Sequence, residues 1–211
     1  MELGASRKAT ISKILMEQAY DSLTNAITAR EKNQFSVEVR LSVNVMLLLG
    51  ISLEGVVNEL GENTLDNWTW NELEKSTTPL KWKVILGAKK NYPVHERPIQ
   101  TIIEVMKLRN YIAHPKLKNN GGGIILVGDQ GEVLINPTDD TLLPGGDLTI
   151  YDGYNTLIKD FNARNALMYT TRSLQAINEI VTLYQAPDFE WSMEMLKEVE
   201  KMKVERNTTG N

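Results

Sequence analysis

Cysteine is absent from this chain of 211 residues, which excludes disulfides, thiol nucleophiles and Cys-ligated zinc and suits a reducing compartment. Histidine is nearly as scarce. Only His95 and His114 are present, too few for a histidine-based metal site within one chain, so neither a metal nor another cofactor is expected. Long apolar runs are missing as well. The longest, Val43 to Val57, is broken by Asn44, Gly50, Ser52 and Glu54 and reads as too short and too polar to span a bilayer. The N-terminus carries none of the charged start, apolar stretch and cleavage site of a signal peptide. A cytoplasmic chain with no membrane partner is expected, and there the glycosylation-like triplets starting at Asn67 and Asn207 carry no meaning.

Excess positive charge is the last thing lacking. With 23 Lys and Arg against 27 Asp and Glu the net charge is −4, which argues against a general nucleic-acid coat, since sequence-independent binding neutralises phosphates with basic side chains. A local basic patch remains open. For Lys116 and Lys118 a phosphate contact and a solvated surface are equally good readings; for Lys81, Lys83, Lys89 and Lys90 a solvated surface is expected.

What is present is helical periodicity in a composition, 42% apolar and 24% charged, that is ordinary for one globular domain. Ile11, Ile14, Leu15, Ala19, Leu23, Ala26 and Ile27 recur at three and four, predicting a first helix over 7–32 with these residues on its buried face. The denser segment Val37 to Leu60 predicts a central helix covered on most sides, with Glu54 and Asn58 on one side of it. Between Gly61 and Pro79 a loop with short turns is expected, Thr69 to Glu72 capping a segment that runs to Lys75. A short helix over Leu80 to Ala88 comes next. Pro98 then opens a helix with Ile99, Ile102, Ile103 and Met106 on its buried face.

After position 114 the pattern changes. Ile124 to Val127 and Val133 to Ile135, around Gly128 to Gly131, read as a β-hairpin, and Leu148 to Tyr151 as a short strand. This segment, about 119–152, is too small for a core of its own and is read as an insertion. Asn155 to Tyr184 returns to a long helix ended by Pro187, and Phe189 to Met202 forms a last amphipathic one. The expected fold is all-α in the main: an antiparallel helical bundle forming one domain over 1–205, with the small β-hairpin insertion and a disordered tail at 206–211.

The hexapeptide Arg109 Asn110 Tyr111 Ile112 Ala113 His114 brings a cation, an amide and an imidazole together where a helix must stop. Pro115 pushes His114 out of the helical region and makes it the expected last residue of the helix. Asn110 and His114 share a face, with Arg109 about 100° round from Asn110. The break at His114 lets Arg109 swing toward the same cleft.

These residues resemble the HEPN superfamily, whose hallmark is an Arg, four to six intervening residues and a His near the end of a bundle helix, often with a polar residue after the Arg. Arg109, Asn110 and His114 fit it, and Ser52 to Asn58, with Glu54 and Asn58, is similar to the acidic residue and Asn of an upstream helix in many such domains. The similarity covers roughly 40–118; the hairpin insertion departs from the minimal four-helix pattern. It implies a metal-independent endoribonuclease of toxin–antitoxin, antiphage or RNA-processing systems, dimeric, with an antitoxin protein as a candidate partner. It equally admits a catalytically inactive module that binds a protein or nucleotide partner.

The chemistry suits RNA, whose 2′-hydroxyl attacks the adjacent phosphorus given a base, an acid and positive charge on the phosphorane. His114 has the pKa range for acid or base work and Arg109 the fork for phosphate oxygens, while Asn110 orients the imidazole or donates to phosphate. Lys116, Lys118, Glu54 and Asn58 are the candidate substrate-side residues, Glu54 also as a buried counter-ion to Arg109. One imidazole per chain fills one proton-transfer role, so a homodimer is expected, unless one imidazole takes both roles in turn or water serves. The plainer reading is helix termination: Arg109 favoured by the macrodipole, Asn110 meeting late carbonyls, His114 capping.

Other features are weaker. His95 is an expected exposed bystander, Gly121 to Gly123 lacks the Lys and Ser or Thr of a phosphate-binding loop, and Asp139, Asp140 and Asp147 do not match a calcium loop. Trp68, Trp70 and Trp82 are read as helix packing before base stacking.

Overall fold

The computed structural model describes residues 3–90, 96–113, 126–127, 133–134 and 161–208. His95, His114, Lys116, Lys118, Leu148 to Tyr151 and most of 119–152 lie outside them. The described chain is mainly helical: α1 (Leu3–Glu31), α2 (Phe35–Thr64), α3 (Asn67–Leu73), α4 (Thr78–Gly87), α5 (Ile99–Ala113), α6 (Ala163–Tyr184) and α7 (Trp191–Thr208). Two-residue strands β1 (Leu126–Val127) and β2 (Val133–Leu134) pair antiparallel, Leu126 opposite Leu134.

α2 is the hub. It packs against α1, α3, α4, α5 and α6 and buries residues on most of its circumference, from Val45 and Met46 to Val57 and Leu60. At 30 residues, with a stretch of mean hydropathy 1.6, it has the length and composition to cross a membrane, which corrects the reading of this region as too short and too polar. Half of that stretch is buried inside the protein, as the central helix of a helical core requires.

α1 runs antiparallel to α2. Arg30 pairs with Glu38 at one end (3.2 Å), and at the other the Ser52 hydroxyl donates to the Ser12 carbonyl at 2.9 Å. The buried stripe of α1 is Ser12, Met16, Ala19, Leu23 and Ala26, whereas Ile11 and Ile14, expected inside, are 58% and 43% exposed. The cause is the small-residue seam at this end: a Cβ on Gly55 would lie 2.3 Å from the Ser12 hydroxyl oxygen. Close approach there fixes the rotation of α1 on Ser12 rather than on its bulkier neighbours.

Several boundaries also differ from expectation. α3 begins at Asn67 because Asp66, not Thr69, caps it, its carboxylate accepting from the Thr69 amide at 3.0 Å and hydroxyl at 2.6 Å. Pro79 lies inside the first turn of α4, where its missing N–H costs nothing. α6 begins at Ala163, with Asn162 as its cap and Phe161 packed in the core just ahead of it, while residues 155–160 of the expected helix lie outside the described ones. The Ala163 amide donates to buried Glu38 at 2.9 Å, so a carboxylate from α2 anchors the start of α6. α6 ends at Gln185, which adopts the left-handed conformation (φ 51°), before Pro187 is reached. α7 continues to Thr208 and takes in residues 206–208 of the expected tail, in keeping with the helix formers Lys203, Glu205 and Arg206.

Candidate functional site

Arg109 stands in the last turn but one of α5, where that helix crosses α2. Its stem lies directly on Gly50: a Cβ at position 50 would be 2.8 Å from the Arg109 Cβ and 2.7 Å from its Cγ. A helical glycine is locally unfavourable, and here it leaves the space an arginine stem occupies. From that seat the guanidinium reaches two partners. Nη2 lies 3.6 Å from Glu54 Oε2, one turn beyond Gly50 on α2, and Nη1 donates to Asn110 Oδ1 at 2.9 Å. The Arg109 and Glu54 side chains are 27% and 36% exposed, so the counter-ion is not buried as expected and the attraction is worth about 1 kcal/mol or less. Its role is to aim the guanidinium.

Arg109, Asn110 and Glu54 share a groove of about 470 Å³. Along α5 its wall is Ile103, Met106, Lys107 and Asn110, the three- and four-residue spacing of one helix face. Opposite stand Ser76, Thr77, Thr78 and Pro79, where α4 begins. Position 114, four residues after Asn110 in the sequence, lies outside the described residues. The end of α5 is further held by Tyr111, half exposed, whose ring stacks on buried Phe161 with centroids 6.4 Å apart.

Of the residues singled out in the sequence, Arg109, Asn110 and Glu54 come together. Asn58 turns to another task, its Oδ1 accepting from Lys81 Nζ at 2.8 Å. Lys81 is a correction. Expected on a solvated surface, it is 4% exposed, its ammonium 5.6 Å from the centre of the Trp70 ring. Trp70 and Trp82 are packed inside and Trp68 is 76% exposed. Lys83, Lys89 and Lys90 are exposed, Lys89 over the Tyr184 ring and Lys90 paired with Glu179.

Sequence reasoning missed Gly50, Lys107 and the Ser76–Pro79 wall. Only Gly50 left a signal, a glycine inside an apolar helix four residues before Glu54. Comparison with models of known families, with curated proteins and with solved structures finds no match.

Proposed function

We propose that this chain is a metal-independent endoribonuclease of the HEPN type, an antiparallel helical bundle with a hairpin insertion, acting on RNA as a cytoplasmic homodimer. The observation that supports this reading is the seating of Arg109 on Gly50, aimed by Glu54 and Asn110 into a groove at the end of α5. His114 follows Ala113, the last residue of that helix. Arg109 donates to the non-bridging oxygens as charge builds on phosphorus. A base takes the 2′-hydroxyl proton, the oxygen forms its bond to phosphorus, and the bond to the 5′-oxygen breaks as an acid protonates it. The products are a 2′,3′-cyclic phosphate and a 5′-hydroxyl. His114 fills one of these proton roles and the partner chain's copy the other. A place as toxin or antiphage effector, held by an antitoxin protein, belongs to the same reading.

The test is incubation of a mixed RNA pool in EDTA with the parent, Arg109→Ala and His114→Ala proteins, folding followed by circular dichroism. Cleavage by the parent alone, leaving cyclic phosphate ends, is expected. Absence of cleavage by the parent would instead favour a binding module, in which Arg109, already paired with Glu54, holds a protein or nucleotide partner in the same groove.

A further inference from the structure

The groove beside Arg109 contains more than a phosphate contact requires. Ile103 and Met106 give it an apolar lining, Lys107 stands exposed at its side, and the opposite wall carries the Ser76 and Thr77 hydroxyls. Thr77 caps α4 by position, yet its side chain makes no capping bond, which leaves that hydroxyl to the groove. Lys107 has no ion pair among the described residues, whereas the negative charge that Glu54 brings is matched by Arg109. The groove is therefore positive in balance at Lys107, hydroxyl-lined on one side and apolar along α5. Its volume, about 470 Å³, lies within the range of small-ligand sites.

We propose that this groove is a subsite for one nucleotide of a single RNA strand, next to the phosphate held by Arg109. The base lies on Ile103 and Met106, the ribose 2′-oxygen accepts from the Ser76 and Thr77 hydroxyls, and Lys107 takes the outer phosphate. The strand then runs along α5, from Lys107 past Asn110. Flat base faces suit an apolar lining whatever the sequence, so the subsite binds without strong base preference. This rests on the ribonuclease reading for its choice of RNA but not for its test.

The test is anisotropy titration, in EDTA, of a fluorescent single-stranded oligonucleotide methylated at every 2′-oxygen, which keeps that oxygen as an acceptor for Ser76 and Thr77 but has no nucleophile for cleavage. Lys107→Gln and Thr77→Val change exposed side chains and keep the fold, as thermal melting will verify. Each is expected to weaken binding about fivefold or more, and Lys107→Gln to lower the salt slope by about 0.7, the loss of one single-strand phosphate contact. Placing one abasic site at successive positions should reveal a single position that carries the loss. Affinity unchanged in both variants, or no binding by the parent, overturns the subsite. So does competition by free nucleoside monophosphates as tight as the oligonucleotide's own binding, which would make the ligand a free nucleotide. Binding sensitive to both variants in a protein that cleaves nothing keeps the subsite and removes the ribonuclease.

Discussion

A methyl group at position 50 would meet the first two carbons of the Arg109 side chain, the part that cannot swing aside without moving α5. Gly50→Ala is thus expected to cost about 1–3 kcal/mol of stability as an overpacked contact. On the proposed ribonuclease reading it should also lower RNA cleavage on the order of tenfold or more by displacing the guanidinium from Glu54. A urea melt and initial rates on one RNA check both, and full activity in the variant would show that the seat is not needed. Lys81 gives a second case. Its buried ammonium keeps the Asn58 amide oxygen and the Trp70 face, so Asn58→Ala should cost about 1.5–3 kcal/mol, the range for a hydrogen bond to a charged group. Denaturant midpoints measure it; no change would mean that water replaces Asn58. At this scale the neighbouring Arg109 and Asn110 were legible as local chemistry, and Glu54, which does pair with Arg109, was reached only through the family resemblance. The pairing of Asn58 with Lys81 was not legible, because only the crossing of α2 and α4 shows that they face each other across 23 positions.

Periodicity finds the middle of a helix, whereas side-chain hydrogen bonds choose where it starts. α3 shows this: Asp66 captures the Thr69 amide and hydroxyl and so places the helix start at Asn67. Those bonds hold the Asp66 carboxyl below its usual value of 3.8. A folded-state value below the unfolded one stabilises the fold above pH 3.8 and loses that contribution as pH falls through the lower, folded value. Asp66→Ala should therefore differ from the parent in melting temperature at neutral pH and converge with it in acid; a gap that persists at the acid end would assign the effect to something other than ionisation. The start of α6 depends on a longer reach. Glu38 lies 125 residues before the Ala163 amide it accepts from, and no local rule in the sequence connects the two. Rotation was legible on α5, where the expected Ile99, Ile102 and Met106 are buried and Ile103 is half-buried at the groove. On α1 it was misread, because a glycine and two serines at the α1–α2 contact outweighed the bulkier Ile11 and Ile14.

On the proposed ribonuclease reading, whole-molecule function turns on a count: two proton transfers in the reaction, and one His in the Arg109–His114 hexapeptide of each chain. If the cleft is built from two copies, a dimer containing one His114→Ala chain lacks either its acid or its base. Mixing parent and His114→Ala chains after denaturation and refolding then makes cleavage scale with the square of the parental fraction, because only parent–parent dimers cut. Where one imidazole serves both steps within a chain, or water fills one role, the same mixture gives a straight line. The slope needs no knowledge of the RNA target, and exchange is checked by a size tag on one chain. Arg109→Ala in place of His114→Ala separates the roles further. Phosphate stabilisation can come from either copy, so a mixed dimer with one Arg109 should retain partial activity and bend the curve upward from the square toward the line. A straight line for both variants would leave each chain as a self-contained unit and the dimer without a catalytic part.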